Sequence, residues 1–224
     1  MLVPMATAKA EETRSRILDA ALRLFRERGF EQTTMRDVAA EAEVATGAAY
    51  YYYRSKEDLV LAFYLRTEEE AAERFAQVIA STNDVRKRIR GIIDAKFGQF
   101  AQHRALLAAL LKTGVDPRDP LSPFSKETAQ IRGDHIAWYA RALEGSDLKV
   151  SRDLAPHLPK LLWMYHMGLI YYWIIDDSPE QRRTQRLLDA TLDLVVQLLR
   201  AASLPFMAPL RKRALKVLRA VEED

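Results

Sequence analysis

Hydrophobic positions recur along this chain at the three-to-four-residue spacing of one helix face, almost from end to end. From Thr13, residues Ile17, Ala21, Leu24 and Phe25 fall at i, i+4, i+7 and i+8, a single apolar stripe. Gly29 followed by Phe30 marks the stop, because glycine tolerates the left-handed turn that ends a helix and the next apolar residue folds back on it. Thr34 with Asp37 three residues on reads as a capping-box start for a short helix to about Ala42. Val44 sits in a tight turn, and a third short helix spans Thr46 to Tyr53. Ser55 and Asp58 cap a much longer one, from Lys56 to about Ala80. The pattern predicts further helices over 84–103, 104–114, 123–144, 154–176, 179–202 and 206–222. Ser81–Asn83, the proline-bearing Asp116–Pro123, Glu144–Asp153 and Asp176–Pro179 separate them. Residues 1–12 read as a flexible polar arm.

Composition sharpens this to an all-α protein. Alanine and leucine together number 61, valine and isoleucine only 22, and there are 8 glycines for turns. The absence of cysteine removes disulfides, zinc ribbons and thiol nucleophiles, and fits a reducing compartment. The opening MLVPMATAKAEE has no apolar core of signal-peptide length. The longest apolar run, Leu161–Ile175, would span only about 22 Å as a helix, short of a ~30 Å bilayer core. A cytoplasmic protein with no membrane span is expected.

Enzyme chemistry finds little foothold. No GxG, HExxH or GxSxG occurs, and His103, His135, His157 and His166 stand at no i, i+3 or i, i+4 spacing. No catalytic residue, metal site or cofactor is expected. The region of the second and third helices is different. Small residues open the third helix, as suits an element that must enter a major groove about 12 Å wide. Four consecutive tyrosines, Tyr50–Tyr53, then spread around it at 100° per residue, so at least two must face outward. Beside Arg54 and Lys56, exposed phenols suit phosphate contact, while Tyr53 is placed in the core.

The run TTMRDVAAEAEVATGAAYYYYRSKEDL resembles the helix-turn-helix of TetR-family transcriptional regulators, and TRSRILDAALRLFRERGFEQ before it resembles their first helix. Beyond these residues the likeness is only in helical content and length. The resemblance implies an N-terminal three-helix DNA-binding domain at 1–55 and a larger helical effector-binding and dimerisation domain at 56–224. By matching positions, Arg36, Thr46, Gly47 and Ala48 would face base edges, with Arg36 the strong reader through a bidentate contact to guanine. Tyr50, Tyr51 and Tyr52 would meet phosphate or thymine methyls, and Thr13, Thr34 and Lys56 would hold the DNA backbone. Two positions depart from the family's habit: Glu43 stands where the turn commonly has Gly, and Ala45 where the third helix commonly has a Ser cap. Loss of that cap should cost about 1 kcal/mol. Residues 1–60 hold nine Lys/Arg against ten Asp/Glu, so bulk attraction to DNA is weak and local placement must supply affinity.

These features imply a homodimeric, ligand-responsive repressor of double-stranded DNA. The helices 154–176 and 179–202 are strongly apolar, and Leu187, Leu188, Thr191, Leu194, Val195, Leu198 and Leu199 form one broad stripe; the resemblance implies that two such helices from each subunit make a four-helix dimer interface. Phe97, Phe100 and His103 share one helix face, and His135, Trp138 and Tyr139 another. Trp163, Tyr165 and His166 crowd a third, and together these are expected to wall a site for a mostly apolar or aromatic effector. The basic closing helix reads as a solvated face. The competing reading is a helical small-molecule binding protein or enzyme that has lost DNA binding.

Overall fold

The structure, a computed structural model, describes residues 5–111 and 114–222. Among the described residues ten α-helices follow one another: α1 Met5–Arg28, α2 Met35–Glu41, α3 Thr46–Tyr52, α4 Lys56–Ser81, α5 Val85–Phe100, α6 Arg104–Leu110, α7 Ala129–Leu143, α8 Leu158–Ile175, α9 Arg182–Ala202 and α10 Ala208–Glu222. No strand occurs among the described residues. No helix among them is long and apolar enough to cross a membrane.

The expected arm is helical where it is described. Residues 5–12 form the first turns of α1, since alanines and glutamates run on from Met5 with no breaker; residues 1–4 lie outside the described residues. The other end of α1 stops as its sequence dictates. Gly29 takes φ 87°, its N–H donates to the Phe25 carbonyl at 3.1 Å, and Phe30 packs on Phe25 with ring centroids 5.2 Å apart.

The helix expected over 104–114 ends at Leu110, and residues 112 and 113 lie outside the described residues. Residues 123–128 are turns rather than the first part of a helix. There the Thr128 hydroxyl donates to the Ser122 carbonyl at 2.7 Å, and Arg132 donates to the Pro123 carbonyl at 2.7 Å. Such side-chain bonds offer the backbone an alternative to helix. Likewise α8 begins at Leu158, with Pro159 in its first turn, instead of at residue 154.

Two compact units result, each drawn from two stretches of chain. The first comprises Met1–Glu69 and Gln99–Arg132, the second Glu70–Gly98 and Gly133–Asp224. In the first, α1 packs on α2, α6 and the 3-10 turn Ala101–His103, while Ile17, Leu24, Phe25, Leu59 and Phe63 are fully buried. The start of α4 and the 99–132 stretch are therefore part of the same core as the helix-turn-helix.

The second unit buries Phe75, Ile89, Ile92, Ile93, Tyr139, Leu158 and Leu188. Within it α4 and α5 approach closely at Gly91, where a Cβ would sit 2.5 Å from Val78 Cγ1. The buried Arg88 guanidinium closes the end of α7, donating to the carbonyls of Ala142 at 3.2 Å and Glu144 at 2.7 Å.

Candidate nucleic-acid interface

Helix α2 is seven residues long and starts under a complete capping box. The Thr34 hydroxyl accepts from the Asp37 N–H at 3.2 Å, and the Asp37 carboxylate accepts from the Thr34 N–H at 2.8 Å. The Thr34 hydroxyl, which also donates to this carboxylate at 2.6 Å, and then the Thr34 N–H hold the Asp37 carboxyl below its ordinary range. Met35, Val38 and Ala39 face inward, and Arg36 stands exposed with no ion pair among the described residues.

The turn is closed by the Val44 N–H donating to the Ala39 carbonyl at 3.0 Å. Glu43 takes φ 53° there, a left-handed conformation that disfavours any side chain. Ala45 then starts α3 without a side-chain cap. Both departures noted in the sequence thus leave a physical mark: a strained turn and an uncapped helix start.

Helix α3 buries only Ala49 of its seven residues. Thr46, Gly47 and Tyr50 are exposed, Ala48 and Tyr52 are half-buried, and Tyr51 is 82% exposed, its ring edge-on to Tyr52 at 5.2 Å. Tyr53 turns inward as expected, its hydroxyl donating to the Arg14 carbonyl at 3.3 Å. The side chains expected to hold the DNA backbone are already engaged within the protein. The Lys56 ammonium donates to the Phe30 carbonyl at 2.7 Å and lies 4.5 Å from that residue's ring centroid, while the Thr13 hydroxyl donates to the Lys9 carbonyl at 2.9 Å. Thr34 is spent on its cap. Sequence reasoning missed this inward turn of Lys56, which the neighbouring Phe30 and the bare carbonyls at the end of α1 could have suggested.

The surplus of acids near the motif is largely internal too. Glu41 pairs with Arg23 at 3.1 Å, Asp19 with Arg66 at 2.6 Å, and the Asp58 carboxylate accepts from the Arg54 N–H at 2.9 Å.

The aromatic residues expected to share a pocket divide between the units. Phe100 and His103 belong to the first, where Phe63 packs against both rings. Gln99 opens that stretch of the first unit, so Phe97 falls in the second despite lying on the same helix. There it stacks on Trp173 with centroids 5.4 Å apart and 13° between planes, and meets His166 edge-on. His166, fully buried, gathers His135 and Tyr139. Its Nδ1 lies 2.8 Å from the Tyr139 hydroxyl and 3.2 Å from His135 Nε2, while its own Nε2 has no hydrogen-bond partner. Burial above all, then the nearby His135 and Lys96, keeps its imidazole neutral to well below its ordinary range. Trp138 is half-buried beneath Arg141 and beside Phe75, and Trp163 is buried. Tyr165 stands apart from this group, its hydroxyl 2.6 Å from that of Thr191.

Two family models cover most of this architecture. Residues 17–63 match bacterial regulatory proteins of the tetR family, and residues 88–212, over half the chain, match the tetracyclin repressor-like C-terminal domain. The chain belongs to the tetR family.

Among tetR-family relatives it is 32% identical over 128 residues to the HTH-type transcriptional regulator UidR of Escherichia coli K12, covering 57% of this chain and 61% of that protein. It is 30% identical over 92 residues to the transcriptional repressor KstR2 of Mycobacterium tuberculosis H37Rv, covering 41% of this chain and 46% of the other. The chain thus spans about three-fifths or less of the length of these relatives. A solved structure of a tetR-family regulator from Syntrophomonas wolfei superposes with a TM-score of 0.65 at 19% identity, over 83% of this chain and 95% of that one. FadR from Bacillus subtilis, solved in complex with stearoyl-CoA, gives 0.62 at 19%, over 81% and 97%. At such identities the likeness is one of fold.

Proposed function

We propose that this tetR-family protein is a ligand-responsive transcriptional regulator, a repressor that binds a palindromic operator as a dimer in the cytoplasm. A small, mostly apolar or aromatic effector releases it. The observation that carries the reading is α3. It projects from a capped α2 and a tight turn with most of its side chains outward, and the exposed Arg36 beside it is unpaired among the described residues. In this reading Arg36, Thr46, Gly47 and Ala48 meet base edges, Tyr50, Tyr51 and Tyr52 meet the strand, and Thr34 presents the α2 terminus to phosphate. The DNA-reading role belongs to the first unit, effector binding and dimerisation to the second.

Dimerisation is supported by two outward stripes in the second unit. On α9, Leu188, Leu192 and Val196 face the core while Leu187, Leu194 and Leu198 remain exposed. On α8, Met164 and Ile175 are likewise exposed. An effector site is supported by the cluster of Phe97, His135, Trp138, Tyr139, Trp163 and His166, whose buried, unpartnered His166 Nε2 offers one polar contact among aromatic walls. The Bacillus subtilis FadR, solved in complex with stearoyl-CoA, is a neighbour in fold that takes up an acyl ligand.

Coupling would run through α4 and α5, each of which has residues in both units. Two recognition helices must lie about 34–36 Å apart to enter successive major grooves, so a small tilt of a long helix spoils the fit. By linkage, operator must then weaken effector binding by the same factor.

Selection from random-sequence DNA at low salt, followed by a gel shift on the protein's own promoter region, tests the reading. Enrichment of a palindrome bound by dimer is the expected outcome. Failure to enrich any sequence would overturn it, in favour of a helical small-molecule binding protein or enzyme. Once an operator and an effector are in hand, equal effector affinity with and without operator would sink the induction mechanism alone.

A further inference from the structure

A cleft of about 170 Å³ opens in the first unit beside α1, α4 and the 3-10 turn Ala101–His103. Leu22 gives it an apolar wall. Its polar lining is Arg23, Arg26 and Arg66, with Gln102 and His103, against a single carboxylate, Asp19. We propose that this cleft is an anion site for a phosphate group, formed by residues other than those of the effector cluster.

Three arginines lining one small cleft repel one another unless anions offset their charge. The protein's own carboxylates meet two of the three. Arg66 donates to Asp19 at 2.6 Å, and Arg23 turns to Glu41 on α2 at 3.1 Å. Arg26 has no ion pair among the described residues. The arginine fork matches the edge of a tetrahedral oxyanion, and several N–H donors converging from different elements give geometric selectivity. His103 is 8% exposed; burial first, then the charges of Arg26 and Arg66, hold its imidazole below its ordinary range. It therefore stands in the cleft as a neutral ring able to offer one N–H, and the exposed Gln102 can offer an amide.

A phosphate bridging Arg26 on α1 to Arg66 on α4 would tie the first helix to the helix that continues into the second unit. The site would thereby act on the same element that couples effector and operator in the proposed function. Asp19 opposes such a ligand, since it already holds Arg66 and carries like charge. This opposition makes the proposal testable in both directions.

The full-length protein is titrated at pH 7.5 with inorganic phosphate at constant ionic strength set by chloride. Binding is followed by calorimetry and by the ring proton signals of the four histidines. The expected result is a saturable shift of the His103 signals with those of His135, His157 and His166 unmoved. Arg26→Gln should weaken phosphate binding tenfold or more, Asp19→Asn should strengthen it several-fold, and Arg74→Gln on the exposed face of α4 should leave it unchanged. Arg26 is exposed and unpaired, so its variant retains the fold, as circular dichroism would verify. Displacement of phosphate by glycerol 3-phosphate would mark the ligand as a phosphomonoester, and its failure to compete would mark it as free phosphate. Equal affinity in Arg26→Gln and the parent, or phosphate binding that leaves His103 unmoved, overturns the proposal.

Discussion

Helices α3 and α8 use their aromatic residues in opposite ways. In α3, Tyr50 and Tyr51 project into solvent and the helix buries Ala49 alone. In α8, Trp163, His166 and Trp173 are all buried, and Met164 and Ile175 are left outside. A seven-residue helix cannot hold itself together, so α3 takes its stability from α2 and the turn, which leaves its side chains free for another molecule. An eighteen-residue helix that is apolar nearly all round must be buried on most of its faces, and its aromatics then decide the stability of the unit they sit in.

The sharpest way to break this contrast is to truncate one ring in each. Trp173→Ala removes a ring stacked on Phe97 and should destabilise the second unit by about 3–5 kcal/mol in chemical denaturation. Tyr51→Ala should change stability by less than about 0.5 kcal/mol yet weaken operator binding roughly tenfold. Equal stability losses would erase the distinction.

A smaller effect is expected at the outward stripe of α9. Leu194→Glu with Leu198→Glu should leave helix content intact and weaken dimerisation roughly hundredfold by sedimentation, since the new charges would be buried without partners.

Acid should act on the second unit through His166. The unfolded chain binds a proton at about pH 6.5, while the folded chain resists it to lower pH. That contribution to stability is complete above about pH 6.5 and is lost as pH falls toward the lower folded value. The melting temperature should therefore drop between pH 7.5 and 5.5, and His166→Gln should flatten that dependence.

The smallest changes concern the turn before α3. Glu43→Gly relieves a left-handed residue and should stabilise the first unit by about 1 kcal/mol, after allowing for glycine's greater freedom when unfolded. Ala45→Ser should add about 0.5–1 kcal/mol by capping α3. Melting curves would read both, and Glu43→Gly should also tighten operator binding by removing a carboxylate from the DNA-facing turn.

Local chemistry was what the sequence showed best. The Thr34–Asp37 box, the Gly29 stop and the inward Tyr53 each follow from residues a few positions apart, and each appears in the structure. What depended on distant packing was less visible. The spacing of Phe97, Phe100 and His103 is that of one helix face, yet Phe97 packs on Trp173 and the other two on Phe63. The stripe on α9 is genuine, but it is two faces: Thr184, Leu188, Leu192 and Val196 for the core, Leu187, Leu194 and Leu198 for the exterior. Periodicity marks which residues are apolar together and cannot say which neighbour each will meet. Helix starts slipped where hydroxyls compete for backbone groups, as at Ser122, Ser125 and Thr128.

The first unit is assembled from two separate lengths of chain, because α6 and the 3-10 turn before it return to pack on α1. Its autonomy is accordingly limited: a cassette cut at residue 55 would carry the recognition helix but leave behind Leu59, Phe63, Leu106 and Leu107, which are buried. Recombination that exchanges such a cassette between homologues would join mismatched surfaces in mid-core. Specificity for a new operator is better transplanted as individual side chains on α2 and α3, whose outward faces contribute little to that core.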